Sequence, residues 1–216
     1  MLRKNSVKTL LITSSLLAIS FTTVSSYAWD LQPLPNDETS DVKVWTQALE
    51  GSQFKAFKAE VTINAPLDRI VSVIRDTENV PKWYYRSKLA KKIKRLNDHQ
   101  SLNYSITDLP WPVSDRDSVI LATVTTQPDG SVLIKMTGQP NAYPPQENLV
   151  RVPKLDGFWK LMPNSVDTAP PSVRVTLQIS TEPGGDIPSW LANAMVIDMP
   201  FNSLNNLKMQ VESLSH

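Results

Sequence analysis

The apolar residues of this chain change their spacing once, and that change limits the fold more than any other feature. Six runs, 89–96, 101–107, 118–126, 131–137, 149–161 and 173–180, read as strands. Asn97-Asp98, Pro110-Trp111-Pro112, Pro128-Asp129-Gly130, Asp156-Gly157 and Pro170-Pro171 punctuate them, as turns between short strands require. Glu182-Pro183-Gly184-Gly185 ends this regime. From Pro188 onward Trp190, Ala194, Ile197, Phe201, Leu204 and Leu207 recur at threes and fours, the period of one helical face. Pro200 falls inside that run and predicts a kink.

Two further strands, 42–49 and 54–63, flank Glu50-Gly51-Ser52 near the start. Asn64-Ala65-Pro66 then supplies a cap with Pro at the start of a helix over 67–76, whose Leu67, Ile70, Val71 and Ile74 share one face. Residues 80–85 make a short aromatic element. The order is two strands, a short helical region, about six strands and one long helix. An antiparallel sheet of that length must bury one face, and the last helix is the element available to cover it. The fold class is α+β, a curved antiparallel sheet around a C-terminal helix with a cavity between them.

The first residues bear on the compartment. Arg3, Lys4 and Lys8 precede an apolar stretch from Leu10 to Phe21, and Ser26 and Ala28 stand at the −3 and −1 positions of a signal-peptidase site. The stretch is shorter than the roughly 20 residues a spanning helix needs. Residues 1–28 are expected to be a signal peptide, 29–41 a leader and 42–214 the domain. No Cys is present to carry a lipid, so a soluble periplasmic or secreted product is expected. The chain carries 22 Lys and Arg against 21 Asp and Glu. Three of the basic residues and none of the acidic ones precede Trp29, which leaves the remainder slightly acidic and gives no electrostatic case for nucleic acid.

Three segments resemble the START (StAR-related lipid transfer) family. Pro110-Trp111-Pro112-Val113-Ser114-Asp115-Arg116-Asp117 is similar to that family's PWPxSxRD signature. The run from Glu182 through Gly184, Gly185, Ile187, Pro188, Trp190 and Leu191 to Asn193 resembles its PGGxIPxWLxN opening of the last helix. The Ala65-Pro66 helix start with Asp76 and Pro81-Lys82-Trp83 is a weaker third likeness. The resemblance covers residues 42–214 and implies a helix-grip fold with an internal hydrophobic tunnel for one lipid, sterol or similar hydrophobe, without a cofactor or metal. It departs at one place. The basic residue that phosphatidylcholine-binding and some sterol-binding relatives carry six positions after the Arg of RD is Ala122 here.

The tunnel that the resemblance implies is expected to be lined by Tyr104, Ile120, Ala122, Val124, Ile134, Met136, Trp190, Ala194, Met195 and Asp198. Residues two apart on a strand share a face, which groups Ile120, Ala122 and Val124. Asp198 either meets a ligand hydroxyl or faces solvent beside Asn202 and Asn205. Trp111 reads as a rigid corner, and Arg116 and Asp117 as pairing groups. Gly184 and Gly185 serve a tight turn before Pro188, and Trp190 is expected to anchor the helix to the sheet.

Catalysis finds little support. There is no GxSxG elbow, and the histidines are His99, in a turn, and the terminal His216. No metal-ligand spacing occurs. The pair Asp115 and Asp117 competes with simple surface placement. The basic run Lys82, Arg86, Lys88, Lys91, Lys92, Lys94 and Arg95 contains no acid. It is either a solvated hairpin face or a dock for an anionic membrane. The expected product is a monomeric carrier of a lipid or sterol-like ligand. An aromatase/cyclase-type enzyme and a ligand-dependent sensor or assembly factor are the alternatives.

Overall fold

The computed structural model describes residues 28–34, 40–164 and 170–214. The residues before Ala28, expected to belong to a signal peptide, and His216 lie outside them. Ten strands, two α-helices and one 3-10 helix are present among the described residues. The strands are β1 (Asp30–Leu31), β2 (Lys43–Ala48), β3 (Lys55–Ile63), β4 (Ser87–Arg95), β5 (Gln100–Thr107), β6 (Arg116–Thr126), β7 (Val132–Gly138), β8 (Val150–Arg151), β9 (Lys154–Pro163) and β10 (Val173–Glu182). Helix α1 is Leu67–Arg75, the 3-10 helix Thr77–Lys82, and α2 Ser189–Ser213.

One sheet holds every strand, in the order β1-β2-β3-β10-β9-β7-β6-β5-β4, with β8 beside the first half of β6. All pairings are antiparallel except the short β6–β8 contact. The sheet curves around α2, which gives the helix-grip fold. Two register shifts in β4 bend that edge. Gly157 in β9 lets the backbones close up: a Cβ there would lie 2.4 Å from the Gln178 carbonyl oxygen.

The core lies where β3, β10 and β9 meet the second half of α2. Phe201, Leu204, Leu207 and Val211 are buried there against Val61, Ile63, Val175 and Leu177. Each such side chain contributes about 1.5–3 kcal/mol by leaving water. Spacing by threes and fours puts these four α2 residues on one stripe. The stripe does not continue in phase through the first half. Met195, Val196 and Met199 face the sheet side there, while Trp190 is 64% exposed. Trp190 lies five residues before Met195, about 140° away around the helix at 3.6 residues per turn. The expected Trp190 anchor is therefore corrected: the indole stands in solvent.

Two other expectations change. The leader is not wholly outside the fold, because Asp30 and Leu31 pair with Thr46 and Trp45 as an edge strand, and Lys58 stacks over the Trp29 ring at 5.7 Å. Asn64 does not cap α1. Pro66 takes the cap position, and the Asn64 backbone N–H instead donates to Glu212 Oε1 at 3.0 Å. Helix α2 runs without a break through Pro200.

Candidate functional site

A cavity of about 240 Å³ lies between the sheet and the first half of α2, with the 3-10 helix closing one side. A wider cleft of about 980 Å³ lies between α1 and the ends of β4 to β7. Ile74, Thr77, Asn103, Ala122 and Ile134 border both spaces. The pair therefore runs along β5 and β6, from the cleft under α1 to the end near Arg116. Six residues of strand separate Arg116 from Ala122, about 20 Å at ~3.4 Å per residue.

Alternation along β6 sets this wall. Ile120 and Ala122 line the cavity with Ile134 and Met136 of β7 and Met195 of α2. Val124, two residues on, borders the cleft instead. Phe57, Trp83, Trp159, Leu155 and Ile179 extend the apolar lining, and none of these was expected from the sequence to line it. Trp83 and Trp159 meet edge to face with centroids 5.9 Å apart. The Trp83 Nε1–H is buried without a hydrogen-bond partner among the described residues. The Tyr84 phenol also lines the cavity, and burial pushes its pKa up to about 12.

Tyr104 departs from expectation. It touches the cavity border, but it pairs with Val119 and Lys91, so its ring lies on the face opposite Ile120. There it tilts against Tyr143 at 5.0 Å and under Lys91 Nζ at 5.2 Å. Its hydroxyl is buried beside the Asp117 carboxylate. Burial first, and then the nearby Asp117 charge, raise its pKa to about 12. Ala194 and Asp198 are half-buried on α2 and do not line the cavity. The Asp198 carbonyl accepts a bond from Asn202 Nδ2 at 2.7 Å.

The RD pair divides between the two faces. Asp117 is 1% exposed on the outer face, which removes the surface reading of this carboxylate. It takes a bidentate pair from Arg151, Nε to Oδ1 and Nη2 to Oδ2, both at 2.8 Å. Arg151 also donates to the carbonyls of Pro140, Tyr143 and Pro144, so the pair pins the loop between β7 and β8 over Tyr104. Its bonds to Asp117 raise the Arg151 pKa further. Arg116, 3% exposed, points to the cavity. It donates to the carbonyls of Ser114 at 2.6 Å, Gly184 at 2.7 Å and Pro183 at 3.4 Å, and burial lowers its pKa. Gly184 and Gly185, at φ +70° and +61°, present that turn to the guanidinium. Pro188 sits at the N-terminal cap position of α2.

The other motif groups stay at the rim. Trp111 is 91% exposed beside a cis bond to Pro112. Asp115 accepts the Leu109 backbone N–H at 3.0 Å and Lys88 Nζ at 2.9 Å. Burial acts to raise its pKa, but these two donors outweigh burial and hold the carboxyl below its usual value. His99 is exposed in the β4–β5 turn at the cleft. No group of three or more metal-ligating side chains occurs among the described residues.

A sheet gripping a helix around an apolar cavity defines a container for a small hydrophobic molecule. The chain belongs to the START domain family, whose description matches residues 19–212. It is 37% identical to an uncharacterised protein of Pseudomonas aeruginosa over 83% of this chain and 86% of that one. The crystal structure of a STAR-related lipid transfer protein from Xanthomonas axonopodis superposes with a TM-score of 0.74 at 33% identity. It covers 85% of this chain and 98% of that fragment. Human START domain-containing protein 10 is 24% identical over 70% of this chain, which spans 52% of that protein's length.

Proposed function

We propose that the protein holds one lipid or lipid-like molecule in the cavity under α2 and carries or sequesters it without covalent chemistry. The observation that carries this reading is the cavity itself, walled mainly by apolar side chains of β3, β6, β7, β9, β10 and α2. Removing the ligand's apolar surface from water supplies affinity at about 25 cal/mol per Å². The lipid-transfer function named for the Xanthomonas relative supports the same reading. An aromatase- or cyclase-type reaction needs an acid–base set inside the cavity, and no carboxylate or imidazole lines it among the described residues.

Loading requires the cavity to open. The first half of α2 covers the cavity while the second half is fixed in the core, so the first half is the element that lifts. Export belongs to this proposal too. A chain cut after Ala28 retains Trp29 under Lys58 and β1 on the sheet edge. N-terminal sequencing of the secreted form is expected to read Trp29 first.

Ala122→Trp tests the container. The substitution fills the passage shared by cavity and cleft, and it is expected to cut binding of a fluorescent fatty acyl probe at least tenfold. Overpacking costs about 1–3 kcal/mol, so a thermal melt accompanies the titration. A folded variant that binds the probe as tightly as the wild type would overturn the reading.

A further inference from the structure

The cavity is apolar along most of its length and polar at the end farthest from the cleft. Two charged side chains line it, Arg116 and Lys55, both cationic, and no acid does among the described residues. Arg116 is the buried one. A guanidinium carries five N–H donors and does not deprotonate in proteins, so burial cannot be relieved by loss of its charge. Three of those donors go to neutral carbonyls. The adjacent carboxylate, Asp117, is committed to Arg151 on the other face of β6. No carboxylate lies within ion-pair distance of Arg116 among the described residues. A buried cation without a counter-ion costs several kcal/mol.

Hydroxyls cluster at the same end. Ser87, Thr107 and Arg116 stand in register across β4, β5 and β6. Ser105 and Ser118 form the next pair on that face, and all four hydroxyl residues line the cavity. Few polar groups in an apolar pocket orient what it binds, and these are hydroxyls, which can donate, around a fixed positive charge.

We infer that this end takes the single anionic group, a carboxylate or a phosphate monoester, of an amphiphile whose apolar chain runs along β6 toward Ala122. The inference rests on the container reading above and adds the head group. With no basic residue at Ala122, Arg116, six residues earlier on the same face of the strand, is the buried cation that lines the cavity. Arg116 has two N–H groups left for the anion, and the hydroxyls complete its shell.

The test compares hexadecanoate, hexadecyl phosphate and hexadecan-1-ol below their aggregation limits, read by native mass spectrometry and by quenching of tryptophan fluorescence. Trp83 and Trp159, in the cavity wall, report occupancy. At least one anion is expected to bind the wild-type protein tenfold or more tightly than the alcohol, and the stronger of the two identifies carboxylate or phosphate. In Arg116→Gln the anion-to-alcohol ratio is expected to fall to about one. If that variant does not fold, Thr107→Val with Ser118→Ala lowers the same ratio severalfold while leaving Arg116 on its carbonyls. Equal affinity of the wild type for all three probes overturns the anion site and leaves the container reading standing. Failure of all three to bind overturns the container reading, and the anion site with it. An unchanged ratio in the folded variants also overturns the anion site.

Discussion

Arg116 and Asp117 are neighbours in sequence whose side chains serve opposite faces of one strand. The outer one closes a loop and the inner one faces the cavity. Because Asp117 is sealed with Arg151, removing its charge strands a guanidinium. Asp117→Asn is expected to lower unfolding free energy by about 3 kcal/mol, near the low end for a broken buried pair because Arg151 retains some exposure. Urea denaturation measures it, and a change below about 1 kcal/mol would mean the loop holds without the pair. The two shifted phenols give a pH signature. Tyr84 and Tyr104 ionise near pH 12 when folded and near 10 when unfolded. Their contribution is whole below pH 10 and drains away as pH rises from 10 to 12, on the order of 2 kcal/mol for each. Stability at pH 11.5 is expected to fall below that at pH 9, and Tyr84→Phe to remove part of the fall. Alternation put Ile120 and Ala122 on one face, and the resemblance, which places a tunnel-facing position at Ala122, gave that face its inward direction. The direction of Tyr104 was not legible, because β5 is half-buried on both faces along its whole length, with Tyr104 its one buried residue. A strand covered on both sides carries no alternation to read.

At the scale of elements, the sequence pattern located seven of the ten strands within two residues, since turn chemistry at Gly51, Asn97-Asp98 and Gly130 marks their ends; β1 was read as leader, and β8 and β9 as one run. Where it failed, packing had overruled periodicity. Helix α2 is apolar around much of its surface, so the stripe of Phe201, Leu204 and Leu207 extrapolates to the wrong face at Trp190. The first half covers a cavity rather than a packed sheet, and Met195, Val196 and Met199 meet that space. The two halves therefore respond differently to truncation. Leu207→Ala, in the core, is expected to cost about 2–5 kcal/mol. Trp190→Ala is expected to change stability by less than about 0.5 kcal/mol, as exposed substitutions do. Paired thermal melts decide it. A large loss at Trp190 would require the indole to be packed in solution.

For the molecule as a whole, the two readings of the basic run, a solvated face and a dock for an anionic membrane, lead to different experimental outcomes. All of the run except Lys82 and Arg86 lies on β4, one edge of the sheet, where lysines also guard against edge-to-edge pairing. Several of its charges are already used. Arg86 pairs with Asp108, Lys88 with Asp115, and Arg95 with Asp98, while Lys91 reaches the Tyr143 hydroxyl at 3.0 Å. Lys92 and Lys94 have no ion pair among the described residues, and Lys92 stands with Arg75 and Arg95 at the cleft that leads to the cavity. We propose docking beside this opening, which would bring ligand and passage together, although Asp68 and Asp76 border the same cleft and offset part of its charge. Each basic residue near an anionic bilayer contributes about 1 kcal/mol. Lys92→Glu with Lys94→Glu is therefore expected to weaken binding to phosphatidylglycerol-containing vesicles at least tenfold and to abolish its salt dependence. Reversing Lys88 would confound the test, because a second acid beside Asp115 disturbs the Leu109 turn. The melting temperature of the double variant is expected to match the wild type. Equal vesicle binding by both proteins would return the run to edge protection, and loading would then have to proceed from ligand free in solution.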